Sequence, residues 1–265
     1  MSTLPVFDIL LRTRLLSCHL EPIDVWRLTQ TCKHYLDSVP QTIIFFRCCS
    51  IMTHSKVIFL GQQKCGTTSF HHYMKEVHGY KSIHNTLEVL KYIQDPKLPF
   101  DKLNQAQEIP TDGKAYDIQT LITPDAMNRL DHLVSKTDAV SDSPFPYLYK
   151  HFDVTHPDAK FVLSVRDPEK WYSSMSRFFG NRHSVVRRFV YGYSSPLGHK
   201  KRYIKVFKKH IKRCLRYFKD KPQKLLVIDL DEEDQETIST RIDKFLGLPH
   251  KPGSLFPVTN VSSHI

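Results

Sequence analysis

The chain has 265 residues, with 38 Lys and Arg against 27 Asp and Glu, a formal net charge of +11. A surplus of that size concentrates anionic ligands and surfaces without choosing among them, and no apolar stretch approaches the ~20 residues of a membrane span. Cys18, Cys32, Cys48, Cys49, Cys65 and Cys214 form no CxxC pair, which speaks against a zinc site or a disulfide framework.

The first element in chain order is a helical segment over residues 1–50, with apolar residues at helical spacing and a break at Glu21-Pro22. Its Leu4-Pro5, the Leu/Ile-rich stretch 9–16, Leu20 with Pro22 and Asp24, and Thr31-Cys32-Lys33 resemble an F-box. The resemblance implies docking to a Skp-family adaptor of a cullin ubiquitin ligase through residues 4–40. A helical cap packed on the following domain is the other reading of the same stripe.

From residue 55 to 265 the pattern becomes strands alternating with helices. Apolar, β-branched runs at 57–60, 139–140, 161–165 and 225–230 predict strands, and helices are predicted over 67–77, 87–93, 124–134, 145–155, 168–178, 200–218 and 233–246. Alternation of this kind predicts an α/β fold, a P-loop-like three-layer α/β/α domain around a central parallel sheet.

Between the first strand and its helix lies GQQKCGTTS, residues 61–69. Gly61 and Gly66 have the separation of a Walker A loop, but Thr67 stands where that loop has lysine, and Lys64 comes early. A strand–loop–helix turn aims backbone N–H groups and the positive helix end at an anion. The hydroxyls of Thr67, Thr68 and Ser69 add donors, and Lys64 reaches a terminal or bridging oxygen. The GK[ST] pair that holds magnesium with phosphate is absent, so a phosphate-like ester handled without a metal is expected.

A second motif, VLSVRDPEKWYSSM, delivers Arg166 at a strand end with Pro168 beside it and Ser174 eight residues on. An arginine fork with a hydroxyl suits a phosphate monoester. Alone, Arg166-Asp167-Pro168 also reads as a strand end with proline at the first helical position.

GxxKxGTTS after a strand, the Arg-x-Pro strand end with its serine, and the closing KFLGLP are similar to sulfotransferases that use 3′-phosphoadenosine 5′-phosphosulfate (PAPS), over roughly residues 56–260. The resemblance implies a PAPS site with Gly61, Lys64, Cys65, Gly66, Thr67, Thr68 and Ser69 at the 5′ end and Arg166 with Ser174 at the 3′-phosphate. It also implies sulfuryl transfer to a hydroxyl or amine, with Lys64 stabilising the leaving oxygen. The acceptor must lose a proton, and Asp142, His84 and Asp117 are the candidate bases, His84 having an ordinary pKa near 6.5. The basic segment 200–218 is either a solvated face over a core stripe or a contact for an anionic acceptor; nucleic acid is not expected as a partner. A cytoplasmic or nuclear location is expected. Two rivals remain: an inactive sulfotransferase-like F-box adaptor that binds a substrate for ubiquitylation, and a P-loop kinase.

Overall fold

The computed structural model describes residues 55–84 and 122–259, within the unit His54–Ile265. The F-box-like segment, the candidate helix 87–93 and Asp117 lie outside the described residues.

The described elements run β1 (Val57–Phe59), α1 (Thr67–His72), a π-helical turn (Tyr73–Val77), β2 (Ser82–His84), α2 (Pro124–Ser135), β3 (Ala139–Ser141), a 3₁₀ turn (Phe145–Tyr147), α3 (Tyr149–Thr155) and β4 (Lys160–Val165). They continue with α4 (Pro168–Phe179), α5 (Val185–Tyr191), α6 (Lys200–Tyr217), a 3₁₀ turn (Pro222–Lys224), β5 (Leu225–Asp229) and α7 (Gln235–Leu246). The strands form one sheet in the order β2-β3-β1-β4-β5. Every neighbouring pair is parallel, with Val57 opposite Ala139 on one side and Lys160 on the other.

Parallel strands covered on both faces carry apolar side chains on both, and the core divides accordingly. Val57, Phe59, Ala139, Val162 and Ile228 pack with Phe70 of α1 and Ile238 and Ile242 of α7. Ile58, Val140, Phe161 and Leu163 face the opposite way, against Leu130 and Val134 of α2, Phe152 of α3 and Cys214 of α6. The result is the predicted three-layer α/β/α domain. Beyond the sheet, α4, α5 and α6 share a third cluster in which Trp171 stacks on Phe207 and Tyr191 on Tyr203, ring centroids 4.2 Å apart in each pair.

Local chemistry sets the helix ends. Thr123 accepts from Ala126 N–H at the start of α2, Asp167 from Glu169 and Lys170 N–H at α4, and Asp234 from Thr237 N–H at α7. Gly247 closes α7 in the left-handed region, as its position predicts. The predicted helix over 145–155 instead splits into a 3₁₀ turn and α3, with Leu148 between them outside the helical region at φ −106° and ψ 13°. Two elements escape prediction. β2 is three residues long with serine and histidine in it, and the pattern of α5 is masked by Arg187 and Arg188, which are buried.

His210 lies in α6, 7% exposed, with Nε2 2.8 Å from the Leu60 carbonyl. Burial pushes its pKa down to about 4, and burial does the same to His71 and His84. Between pH 6.5 and 4 the unfolded chain therefore binds more protons than the folded one, so this contribution to stability is complete above pH 6.5 and is lost as pH falls toward 4. Thermal unfolding across that window is expected to show a falling Tm. In His210→Gln the slope is shallower by about one proton; an unchanged slope refutes the assignment.

Candidate functional site

The loop after β1 is held from below. Trp171 Nε1 donates to the Gln63 carbonyl (2.9 Å), Arg166 Nη1 to the Lys64 carbonyl (3.2 Å) and Ser164 Oγ to the Cys65 carbonyl (2.5 Å). Three successive carbonyls are thus drawn toward β4 and α4. A chain whose carbonyls are pinned to one side presents its amides to the other, the geometry of an anion-binding concavity. Lys64 adopts the left-handed conformation at φ 62° and Gly66 at φ 78°. Gly66, which has no side chain to cap it, stands at the N-terminus of α1, where the first N–H groups of a helix are directed outward along its axis.

Gly61 and Cys65, expected among the donor-binding residues, lie beneath the loop instead of lining the cleft above it. The Cys65 N–H donates to the Gln62 carbonyl (3.0 Å), and its thiol is wholly buried, its pKa pushed up to about 12 by that burial. At Gly61 a β-carbon would come within 2.1 Å of Ser164 Oγ and 2.9 Å of the Cys65 carbonyl oxygen. Its role is close packing. Gly61→Ala is expected to destabilise the fold by about 1–3 kcal/mol, measured by urea unfolding; a change below about 0.5 kcal/mol contradicts that packing.

The parallel sheet brings the remaining candidates to one edge. The carboxyl ends of β2, β3, β1, β4 and β5 deliver, in spatial order, His84, Asp142, the loop, Arg166 and Asp231. Ligands of open parallel sheets bind at this edge. Lys64, Gly66, Thr67, Thr68, Ser69, His84, Asp142, Arg166 and Ser174 line one cleft of about 1720 Å³. His84 and Asp142 therefore flank the loop on one side, with Arg166 and Ser174 on the other. Gln63, Arg177 and Phe178 also line the cleft, as does the segment from Leu255 to Thr259. Gln63 belongs to the loop motif itself, whereas no motif pointed to Arg177, Phe178 or the 255–259 segment, which arrive through tertiary packing.

Each polar candidate has a definite environment. His84 Nε2 lies 3.1 Å from Thr68 Oγ1 and Nδ1 3.1 Å from Ser141 Oγ. Its pKa, pushed down to about 4 by burial and by His72, departs from the ordinary value expected from sequence and leaves the ring neutral at pH 7. Asp142 stands at φ 70° with Oδ1 accepting from the Ser143 N–H (2.7 Å). Lys64 Nζ lies 4.0 Å from the Phe178 ring centroid, and its pKa is lowered by burial and by the charges of Arg166 and Arg177. Arg166 Nη2 donates to Asp231 (3.2 Å), while its buried Nε has no hydrogen-bond partner among the described residues. Ser69 Oγ meets Thr259 Oγ1 at 3.0 Å. Among the described residues no helix is long and apolar enough to cross a membrane, and no cluster of His, Cys, Asp and Glu could hold a metal ion.

The chain is similar, at 26% identity over 126 residues, to Ava biosynthesis cluster protein M of Aspergillus versicolor; the shared stretch is 45% of this chain and 41% of that relative's length. Among solved structures it is similar to a sulfotransferase from Alicyclobacillus acidocaldarius (TM-score 0.47, 17% identity, 76% of this chain and 84% of that one). It is also similar to shikimate kinase from Bacteroides thetaiotaomicron (0.45, 11%, 73% and 99%). A mouse sulfotransferase complexed with PAP is similar as well (0.36, 15%, 76% and 61%). The sequence model described as Sulfotransferase domain matches residues 56–265, and over that span the chain belongs to the sulfotransferase domain family.

Proposed function

We propose that the protein transfers a sulfuryl group from PAPS to a hydroxyl or amine of an acceptor. The observation that carries this reading is one cleft holding both an amide-presenting loop with Lys64 and, on its other flank, Arg166 with Ser174. These residues fit a doubly phosphorylated nucleoside. The buried Arg166 Nε–H, which has no partner among the described residues, is a donor in need of an acceptor, and an unpaired buried donor costs about 1–3 kcal/mol.

PAPS, when bound, supplies an activated sulfuryl group. The N–H groups and hydroxyls at Gly66 to Ser69 bind its 5′-phosphate, and Arg166 with Ser174 holds the 3′-phosphate, so the two ends are oriented together. Lys64 places positive charge where negative charge grows as the sulfur–oxygen bond breaks. His84 takes the acceptor's proton at Nε2 once its hydrogen bond with the Thr68 hydroxyl gives way; its ring is neutral at pH 7 and, unlike the Asp142 carboxylate, adds no charge beside an anionic donor.

Thermal unfolding with ligands tests the reading. Adenosine 3′,5′-bisphosphate is expected to raise Tm without any metal, by an increment equivalent to about 2.7 kcal/mol at a hundredfold excess over Kd. ATP with magnesium is expected to leave Tm unchanged. A shift with magnesium-ATP alone overturns the reading in favour of a P-loop kinase.

The acceptor on this reading is anionic. Lys201, Lys205, Lys208, Lys209, Lys212 and Arg213 of α6 are exposed, and Lys200 at its start pairs with Glu169 of the cleft (2.7 Å). The basic face therefore begins at the cleft rim. Reversing Lys205, Lys209 and Lys212 to glutamate is expected to raise KM for anionic acceptors about tenfold at low salt and to leave bisphosphate affinity unchanged; equal KM values for both proteins refute the contact. The F-box-like segment is proposed to dock a Skp-family adaptor, and pull-down of purified adaptor by the full chain but not by a Leu4→Ala, Pro5→Ala variant is the corresponding result.

A further inference from the structure

Asp231 has no part in the roles given above, yet its carboxylate joins three pieces of the site. It follows β5, and its side chain is 10% exposed. Its own N–H donates to Asp229 Oδ1 (3.0 Å), which fixes the turn. Oδ2 accepts the N–H of Asp167 (2.6 Å) at the start of α4, the helix that carries Ser174. Oδ1 accepts from Arg166 Nη2 (3.2 Å), and the same guanidinium reaches the Lys64 carbonyl through Nη1 (3.2 Å). One carboxylate thus ties the ends of β4 and β5 together and, through Arg166, steadies the loop.

A carboxylate in that place has two consequences of opposite sign. It fixes the guanidinium fork, which lowers the ordering cost of meeting a ligand. It also places a negative charge next to the charge that the fork is meant to receive, and like charges a few ångströms apart raise each other's free energy. Arginine has five N–H donors, so Arg166 can meet a phosphate while still bonded to Asp231, but it does so as a partly neutralised cation.

Resting on the reading that Arg166 holds the 3′-phosphate, we propose that Asp231 is a positioning residue: it orients Arg166 and the start of α4, and its charge weakens the grip on the 3′-phosphate of the spent nucleotide. Two variants weigh the charge against the anchoring. Asp231→Asn keeps an oxygen for the Asp167 N–H but loses both the charge and the acceptor for Arg166 Nη2; Asp231→Ala removes all three.

Isothermal titration with adenosine 3′,5′-bisphosphate, and with adenosine 5′-phosphate as the probe lacking the 3′ group, reads them directly. Asp231→Asn is expected to bind the bisphosphate about tenfold more tightly than wild type, with the 5′-phosphate unchanged, and Asp231→Ala to bind the bisphosphate more weakly. A purely structural role weakens binding in both variants, so bisphosphate affinity in a folded Asp231→Asn protein that is equal to or below wild type overturns the inference. Wild-type protein that binds neither nucleotide overturns the proposed function and this inference together, whereas bisphosphate binding that is lost in Arg166→Ala and unaffected by Asp231→Asn overturns this inference alone.

Discussion

Lys64→Ala is expected to lower turnover about 10²–10³-fold, the usual cost of removing one group that stabilises charge in the transition state, while adenosine 3′,5′-bisphosphate still binds within about tenfold of wild type. The asymmetry follows from the site. Product binding rests on the loop amides, the hydroxyls of α1 and the Arg166 clamp, which Lys64→Ala leaves in place. The lysine acts where charge develops during bond breaking. Lys64 also occupies a left-handed backbone conformation, φ 62°, which costs a side-chain-bearing residue free energy that glycine is spared. Lys64→Gly is therefore expected to unfold at or above the wild-type temperature and to be as impaired in turnover as the alanine variant. This separates fold from chemistry: single-turnover assays with PAPS beside thermal unfolding give both numbers, and wild-type turnover in either variant removes Lys64 from the mechanism.

The second large effect is expected at the base. His84→Ala should reduce kcat/KM about 10²–10⁴-fold, the range of general-base assistance, with Asp142→Asn the milder change. A base must be unprotonated to work. Because the His84 pKa is pushed down to about 4, the acid limb of the kcat/KM profile should appear only as pH falls toward 4, with rates flat from pH 7 to about 5. An ordinary histidine would begin to fail near pH 6.5. An acid limb at 6.5 contradicts the buried, neutral ring, and a larger loss in Asp142→Asn than in His84→Ala transfers the role to Asp142. The hydrogen bonds to Thr68 and Ser141 make a further distinction. Ser141→Ala should cost less than His84→Ala, since it removes a partner that orients the ring and leaves the lone pair.

Much of the fold was legible along the chain because its signals are local. Alternation of apolar runs and amphipathic segments predicted β1, β3, β4 and β5 within a residue or two of their observed bounds, and the caps at Asp167, Asp234 and Gly247 act within one helical turn. β2 was not legible, since three residues carry no period. Lys64 and Gly66 to Ser69 could be named from their place in a loop between strand and helix, which has the same local chemistry wherever it occurs, whereas Arg166 with Ser174 was paired through the resemblance to the sulfotransferase family.

Composition, periodicity and motif spacing determined that this chain builds a parallel α/β domain with a phosphate-type loop and an arginine strand end. Tertiary structure alone decided which groups meet. The sheet order placed β4 beside β1, so that Arg166, Trp171 and Ser164 could pin the loop's carbonyls, and it set His84 and Asp142 on the opposite flank. It also buried Cys65 and Gly61 under the loop and brought Asp231 to Arg166, 65 residues away in sequence. The physical reason is range: backbone hydrogen bonding and helix caps act between near neighbours in sequence, whereas burial, ion pairing and the pKa of a histidine depend on whatever the folded chain packs against them.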